Sequence, residues 1–92
     1  MTIRHTPAPW HCYTKGSDIY VEDAKEHGIA NIRRNFDLPF NEKMANAYLI
    51  TAAPDLLVSL IALLNEDMTE LEIAYWYEKA RAAIAKATGD IT

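Results

Sequence analysis

Residues 46–64 read NAYLITAAPDLLVSLIALL, an apolar stretch whose spacing leaves few conformations open. Ala45, Tyr48, Leu49, Ala52, Ala53, Leu56, Leu57, Leu60, Ile61 and Leu64 recur in steps of three and four residues, the period of one side of an α-helix. Pro54 sits in the middle. It removes the amide bond to Ile50 and presses on that carbonyl. The chain therefore forms either a kinked continuous helix or two segments with Pro54 in the first turn of the second. The unbroken stripe favours a kink in a roughly collinear helix. Such a stripe speaks of packing, not of chemistry.

Asn41 is a good N-cap and Glu42 follows it, so the first helix should begin near residue 41. Asn65, Glu66 and Asp67 form a tight connection. Asp67 with Glu70 resembles a capping box with Asp in place of Ser or Thr, which starts a second helix near Met68. Gly89 is placed to end it near Thr88. The stripe of this helix is Ile73, Trp76, Tyr77, Ala80, Ala83, Ile84 and Ala87, and its small residues permit close approach to a neighbour. Two long amphipathic helices on a short link make an antiparallel hairpin.

The first forty residues follow a different pattern. Residues 1–9 read as an extended arm, because Pro7 and Pro9 fix their own φ and restrict Thr6 and Ala8. Trp10 should pin that arm to the domain. WHCYT at 10–14, DIYVED at 18–23 and IANIRR at 29–34 are short strands separated by turns at 15–17 and 25–28. Short connections favour an antiparallel meander. Residues 35–41 read as a loop broken by Pro39, with Phe36, Leu38 and Phe40 plugging the gap between sheet and helices. The expected fold is α+β: a three-stranded antiparallel meander, then a Pro-kinked helix and a second long helix forming a hairpin on the sheet. The arm at 1–9 precedes one domain at 10–92, with meander and loop to residue 40 and the hairpin at 41–89.

Ninety-two residues, half of them apolar, suit one domain with a modest core. No uninterrupted apolar run approaches the roughly 20 residues of a membrane span, and the amino terminus carries no apolar signal segment. No membrane association is expected. Cys12 is the single cysteine, which fits a reducing compartment; the cytoplasm is the expected location. The net charge is −4, and all of it lies beyond residue 40, where four basic residues face eight acidic ones. Nothing draws such a chain to duplex nucleic acid.

Few residues suggest chemistry. His5, His11, His27 and Cys12 lack any metal-ligand spacing, and His11 and Cys12 point to opposite faces of a strand. Arg33 and Arg34, with Lys15 in a turn and Lys43 at the helix start, are the best anion-binding candidates, with Tyr13, Tyr20 and Phe36 as a stacking surface for a base. The competing reading is an ordinary solvated strand end. Glu66, Asp67, Glu70 and Glu72 form an acidic segment without a base. It suits docking of a basic partner or a crude mimic of nucleic-acid charge, and equally the start of any helix. Tyr75 and Trp76, with Tyr77, fit a subunit interface as well as a core. Asn46 is placed to cap a strand edge or loop. No nucleophile-and-base set, phosphate loop or paired carboxylate is assembled, so no enzymatic activity and no cofactor are expected.

Three segments resemble a known family. His5-Thr6-Pro7-Ala8-Pro9-Trp10 is similar to an HTPGPW motif, with Ala8 for the glycine. Residues 45–57 resemble ANARLIAAAPELL, and residues 80–89 resemble a common ARAAIAKATG ending. These occur in this order in a family of small proteins of tailed bacteriophages and prophages. The resemblance covers nearly the whole chain and implies a phage origin, a meander plus helices, and no catalytic residues. Arg33 and Arg34 depart from the family pattern.

Small non-enzymatic phage proteins often act on host machinery, including immune systems. The leading expectation is therefore an anti-defence inhibitor that binds a host immune protein. A second is an oligomeric sponge that sequesters a cyclic or other nucleotide signal, and a third is a virion or replication accessory. A homodimer or larger homo-oligomer is expected.

Overall fold

The computed structural model describes residues 4–33 and 38–90 of the chain. Strands β1 (Trp10–Lys15), β2 (Asp18–Asp23) and β3 (Gly28–Ile32) are followed by helices α1 (Phe40–Leu63) and α2 (Glu70–Thr88). The sheet has the order β1-β2-β3 and both pairings are antiparallel, which is the expected α+β meander and helical hairpin. β3 ends at Ile32, so Arg33 lies outside the strand that the sequence extends to residue 34. Arg34 and Phe36 fall outside the described residues.

Local chemistry explains each connection. Gly16 takes φ +63° as the first of two residues between β1 and β2, the position at which a hairpin turn of the II′ kind needs glycine. After β2 the Asp23 carboxylate clamps the next turn. It accepts from the amides of Lys25 (2.9 Å) and His27 (2.8 Å), and the His27 ring stands 2.9 Å from its other oxygen. Burial pushes this carboxyl up, but the His27 and Lys25 hydrogen bonds outweigh it and hold it below the ordinary aspartate value. In the arm, Trp10 donates its indole N–H to the Thr6 carbonyl at 3.1 Å, and the His5 ring meets the indole edge-on. Trp10 thus folds the arm back on itself.

Two helix starts differ from the sequence expectation. α1 begins at Phe40 with Pro39 before it, and no side chain caps it; Asn41 is already inside the helix. α2 starts two residues later than expected, because the capping box is Thr69 with Glu72 rather than Asp67 with Glu70. The Thr69 hydroxyl accepts from the Glu72 amide at 3.3 Å, and Glu72 reaches back to the Thr69 amide. Pro54 lies inside α1, which runs as one continuous helix from 40 to 63. Gly89 closes α2 at φ +74°, with its own amide on the Lys86 carbonyl and the Asp90 amide on the Ala85 carbonyl at 2.8 Å.

The core is small. Ile19 and Val21 are fully buried on the inner face of β2, where α1 supplies the principal helical cover of the sheet. The two helices pack mainly on each other, with the small Ala83 of α2 in the seam. Lys86 of α2 reaches Asp55 of α1 at 3.1 Å across that seam. The molecule is elongated, 48 × 26 × 21 Å.

The stripe on α1 is divided rather than buried. Its buried residues are Lys43, Ala47, Thr51, Ala52, Pro54 and Ser59, mostly small or polar. Leu49, Leu57, Leu60 and Leu64 are 40–79% exposed, and Ala53 is exposed with them. Counting uninterrupted apolar runs also understated this helix. An 18-residue window of α1 has mean hydropathy 1.6 and is long and apolar enough to cross a membrane, yet only 28% of it is buried.

Candidate functional site

Among the described residues, the basic candidates Lys15, Arg33 and Lys43 do not converge on one site. Tyr20 lies on the outer face of the sheet, opposite Tyr13 in the β1–β2 pairing, and Lys15 stands across from Asp18 at the same end. Lys43 is buried in α1, on the inner side of the sheet. Arg33 follows β3 at the sheet end that holds Lys15, but Asp18 sits between the strands that carry them. The aromatic rings are engaged as well. Tyr13 and Tyr20 stack on each other at 5.4 Å, and the Tyr13 hydroxyl donates to Glu22 at 3.0 Å, which with slight burial pushes the phenol pKa up. An outer face with this balance offers no concentrated positive charge to a phosphate.

A cleft of about 710 Å³ opens instead between β1 and the helical hairpin. Trp10 and Cys12 from β1, Met44, Tyr48 and Thr51 from α1, and Lys86 from α2 line it. Its wall is largely apolar, and the Thr51 hydroxyl is buried there without a hydrogen-bond partner among the described residues. Lys86 is already held by Asp55, so the cleft suits an apolar or aromatic group better than an anion. His11 also borders the cleft, and its ring stands 3.8 Å from Glu22. Among the described residues no group of histidine, cysteine and carboxylate side chains is arranged to hold a metal ion.

The expected interface residues lie in the connection between the helices and the first turns of α2. Glu66, Asp67, Glu70 and Glu72 are all exposed around the loop and first turn of α2. Tyr75, 55% exposed, meets Trp76 edge-on at 5.3 Å, and the Lys79 ammonium lies 5.4 Å from the Tyr75 ring centre. Leu71, between Glu70 and Glu72 in the chain, is 85% exposed, the most exposed large apolar side chain described. Sequence periodicity passes over it, because Leu71 falls off the α2 stripe. Its signal is a leucine between two glutamates in a first turn.

The family model of Salmonella phage P22 protein Y8K6 matches residues 1–91. The chain belongs to that family. It is thus a small phage protein, in keeping with the origin implied by the three motifs. No curated protein and no solved structure matches it. Membership assigns no reaction to the cleft or the hairpin tip. Asn46, expected to cap a strand edge or loop, is exposed on α1.

Proposed function

We propose that this phage accessory protein acts by binding and not by catalysis, and that the hairpin tip docks a host defence protein with a basic surface. The observation that carries this reading is Leu71, an exposed leucine between Glu70 and Glu72 in the first turn of α2, with the exposed Tyr75 one turn further along the same helix and the exposed Glu66 and Asp67 in the preceding connection. An apolar anchor inside a charged rim is the usual build of a binding hot spot. The acids steer a basic partner and set its orientation, while Leu71 and the aromatic pair supply buried area. A basic patch is what a nucleic-acid-binding host protein presents, so the tip competes with nucleic acid for that patch.

The test is capture of host proteins from infected cells with the tagged chain, followed by a binding assay on the purified partner. Binding should weaken steeply with salt. It should fall at least tenfold for Leu71→Asp and for the pair Glu66→Lys, Glu70→Lys. A partner captured equally well by these variants, or recovery of the protein only in virions, overturns the reading.

A further inference from the structure

We propose that the cleft between β1 and the helical hairpin binds a small aromatic amine, its ring against Trp10 and Tyr48 and its ammonium group facing the Asp90 carboxylate. This site stands apart from the host-docking reading. It draws on the first half of α1 and the end of α2, at the opposite end of the hairpin from Leu71.

Size and wall chemistry select a ring. The cleft of about 710 Å³ is within the span of small-molecule sites, roughly 300–1,000 Å³. Its apolar wall comes from three elements: Trp10 and Cys12 of β1, Met44 and Tyr48 of α1, and Ala82 and Ala85 of α2. Two aromatic side chains offer stacked or edge contacts to a planar ligand. The sulfurs of Cys12 and Met44 are polarisable neighbours for such a ring. Ala82 and Ala85 project only methyl groups, which keeps the volume open on the α2 side.

The groups at the border select the charge. Lys86 borders the cleft, but its ammonium stands 3.1 Å from Asp55 and is neutralised there. Asp90, the residue after the Gly89 cap, also borders the cleft; its side chain is exposed and has no partner among the described residues. His11 has Glu22 at 3.8 Å. Bordering groups and those paired with them therefore set the carboxylates Asp55, Asp90 and Glu22 against Lys86 and His11, a negative balance even when the histidine is charged. The excess of acids beyond residue 40 adds a longer-ranged pull of the same sign. A protonated amine is drawn to such a border and gains further from the faces of Trp10 and Tyr48, whereas an anion is repelled.

The groove beside Ala8 on the other side of Lys86 suits this ligand less. There Lys79 already lies 5.4 Å from the Tyr75 ring centre, so the aromatic face carries a cation of its own.

Calorimetric titration of the full chain with 1-naphthylmethylamine, 1-naphthalenemethanol and 1-naphthylacetate separates ring from charge, because the three share one ring system. The amine should bind about fivefold tighter than the alcohol, and the carboxylate should bind weakest. Asp90→Asn should bring the amine down to the affinity of the alcohol and leave the alcohol unchanged. Ala85→Leu fills the cleft with a larger side chain and should abolish binding of all three, with unchanged helical circular dichroism. In NMR titrations the indole N–H signal of Trp10, identified as the one retained in Trp76→Phe, should move while that of Trp76 stays.

No binding of any probe at about 1 mM, equal wild-type affinity for amine and carboxylate, an amine preference that survives Asp90→Asn, or movement of the Trp76 signal in place of that of Trp10 would each overturn the proposal. Asp90 is exposed and the indole signals are read on the wild-type wall, so an Ala85→Leu chain that fails to fold leaves the test decisive.

Discussion

Gly89 lies directly against the ring of Tyr48: a Cβ built at Gly89 would stand 2.6 Å from two of its carbons. The same glycine holds φ +74° to end α2, so one position meets both a backbone and a packing demand. Through this contact the end of α2 is fixed against the first half of α1, the half that covers the sheet.

Gly89→Ala should therefore destabilise the fold by more than a left-handed residue alone, on the order of 3 kcal/mol against roughly 1–2 kcal/mol for the backbone term. Urea unfolding measures it. Pairing Gly89→Ala with Tyr48→Ala should cost less than the sum of the single changes, because the clash exists only when ring and Cβ are both present. Strict additivity would show that the ring moves aside freely.

The Asp23 clamp makes stability depend on pH. Its carboxyl titrates below the ordinary aspartate value in the folded chain. The stabilisation is thus present above the unfolded-state pKa, near 4, and is lost as pH falls through the lower folded value. Asp23→Asn should destabilise the protein most at neutral pH, and its deficit should shrink as pH drops below 4. A deficit that stays constant between pH 7 and 3 would remove Asp23 ionisation from the account.

Thr51 carries a buried hydroxyl without a partner among the described residues. Replacing it with the similarly shaped valine should leave stability unchanged or raise it by about 1 kcal/mol, since an unsatisfied buried hydroxyl costs that much or more. Thermal melts of Thr51→Val decide the point. A marked loss would mean that the hydroxyl serves a hydrogen bond.

The Lys86–Asp55 pair spans the helix seam at 3.1 Å, yet both side chains are about one-third exposed. Lys86→Met should cost under about 1 kcal/mol, and the cost should diminish in high salt. A larger, salt-independent loss would indicate that the lysine stem and not the charge supports the seam.

The turns and the Gly89 end of α2 were legible because their chemistry is local. Gly16 and Gly89 announce positive φ, and the strands at 18–23 and, to within one residue, 10–14 follow from strand formers between turn residues. Boundaries that depend on choosing between neighbouring caps were less legible. Asp67 and Thr69 both qualify by type, and only the path of the loop selects Thr69. Two of the basic candidates were separated for a similar reason. Lys15 and Lys43 are both basic, but a strand sends one to the outer face of the sheet while α1 buries the other behind it.

By itself, the sequence determined the periods: two for the meander, 3.6 for the hairpin, and one apolar stripe through Pro54. Which half of that stripe turns inward was decided by tertiary structure. Periodicity marks apolar residues but not their neighbours, and only close approach of α2 and the sheet selects small Ala47, Ala52 and Ala83 for contact. Leucines on the remaining half were left facing outward, where their burial requires another surface.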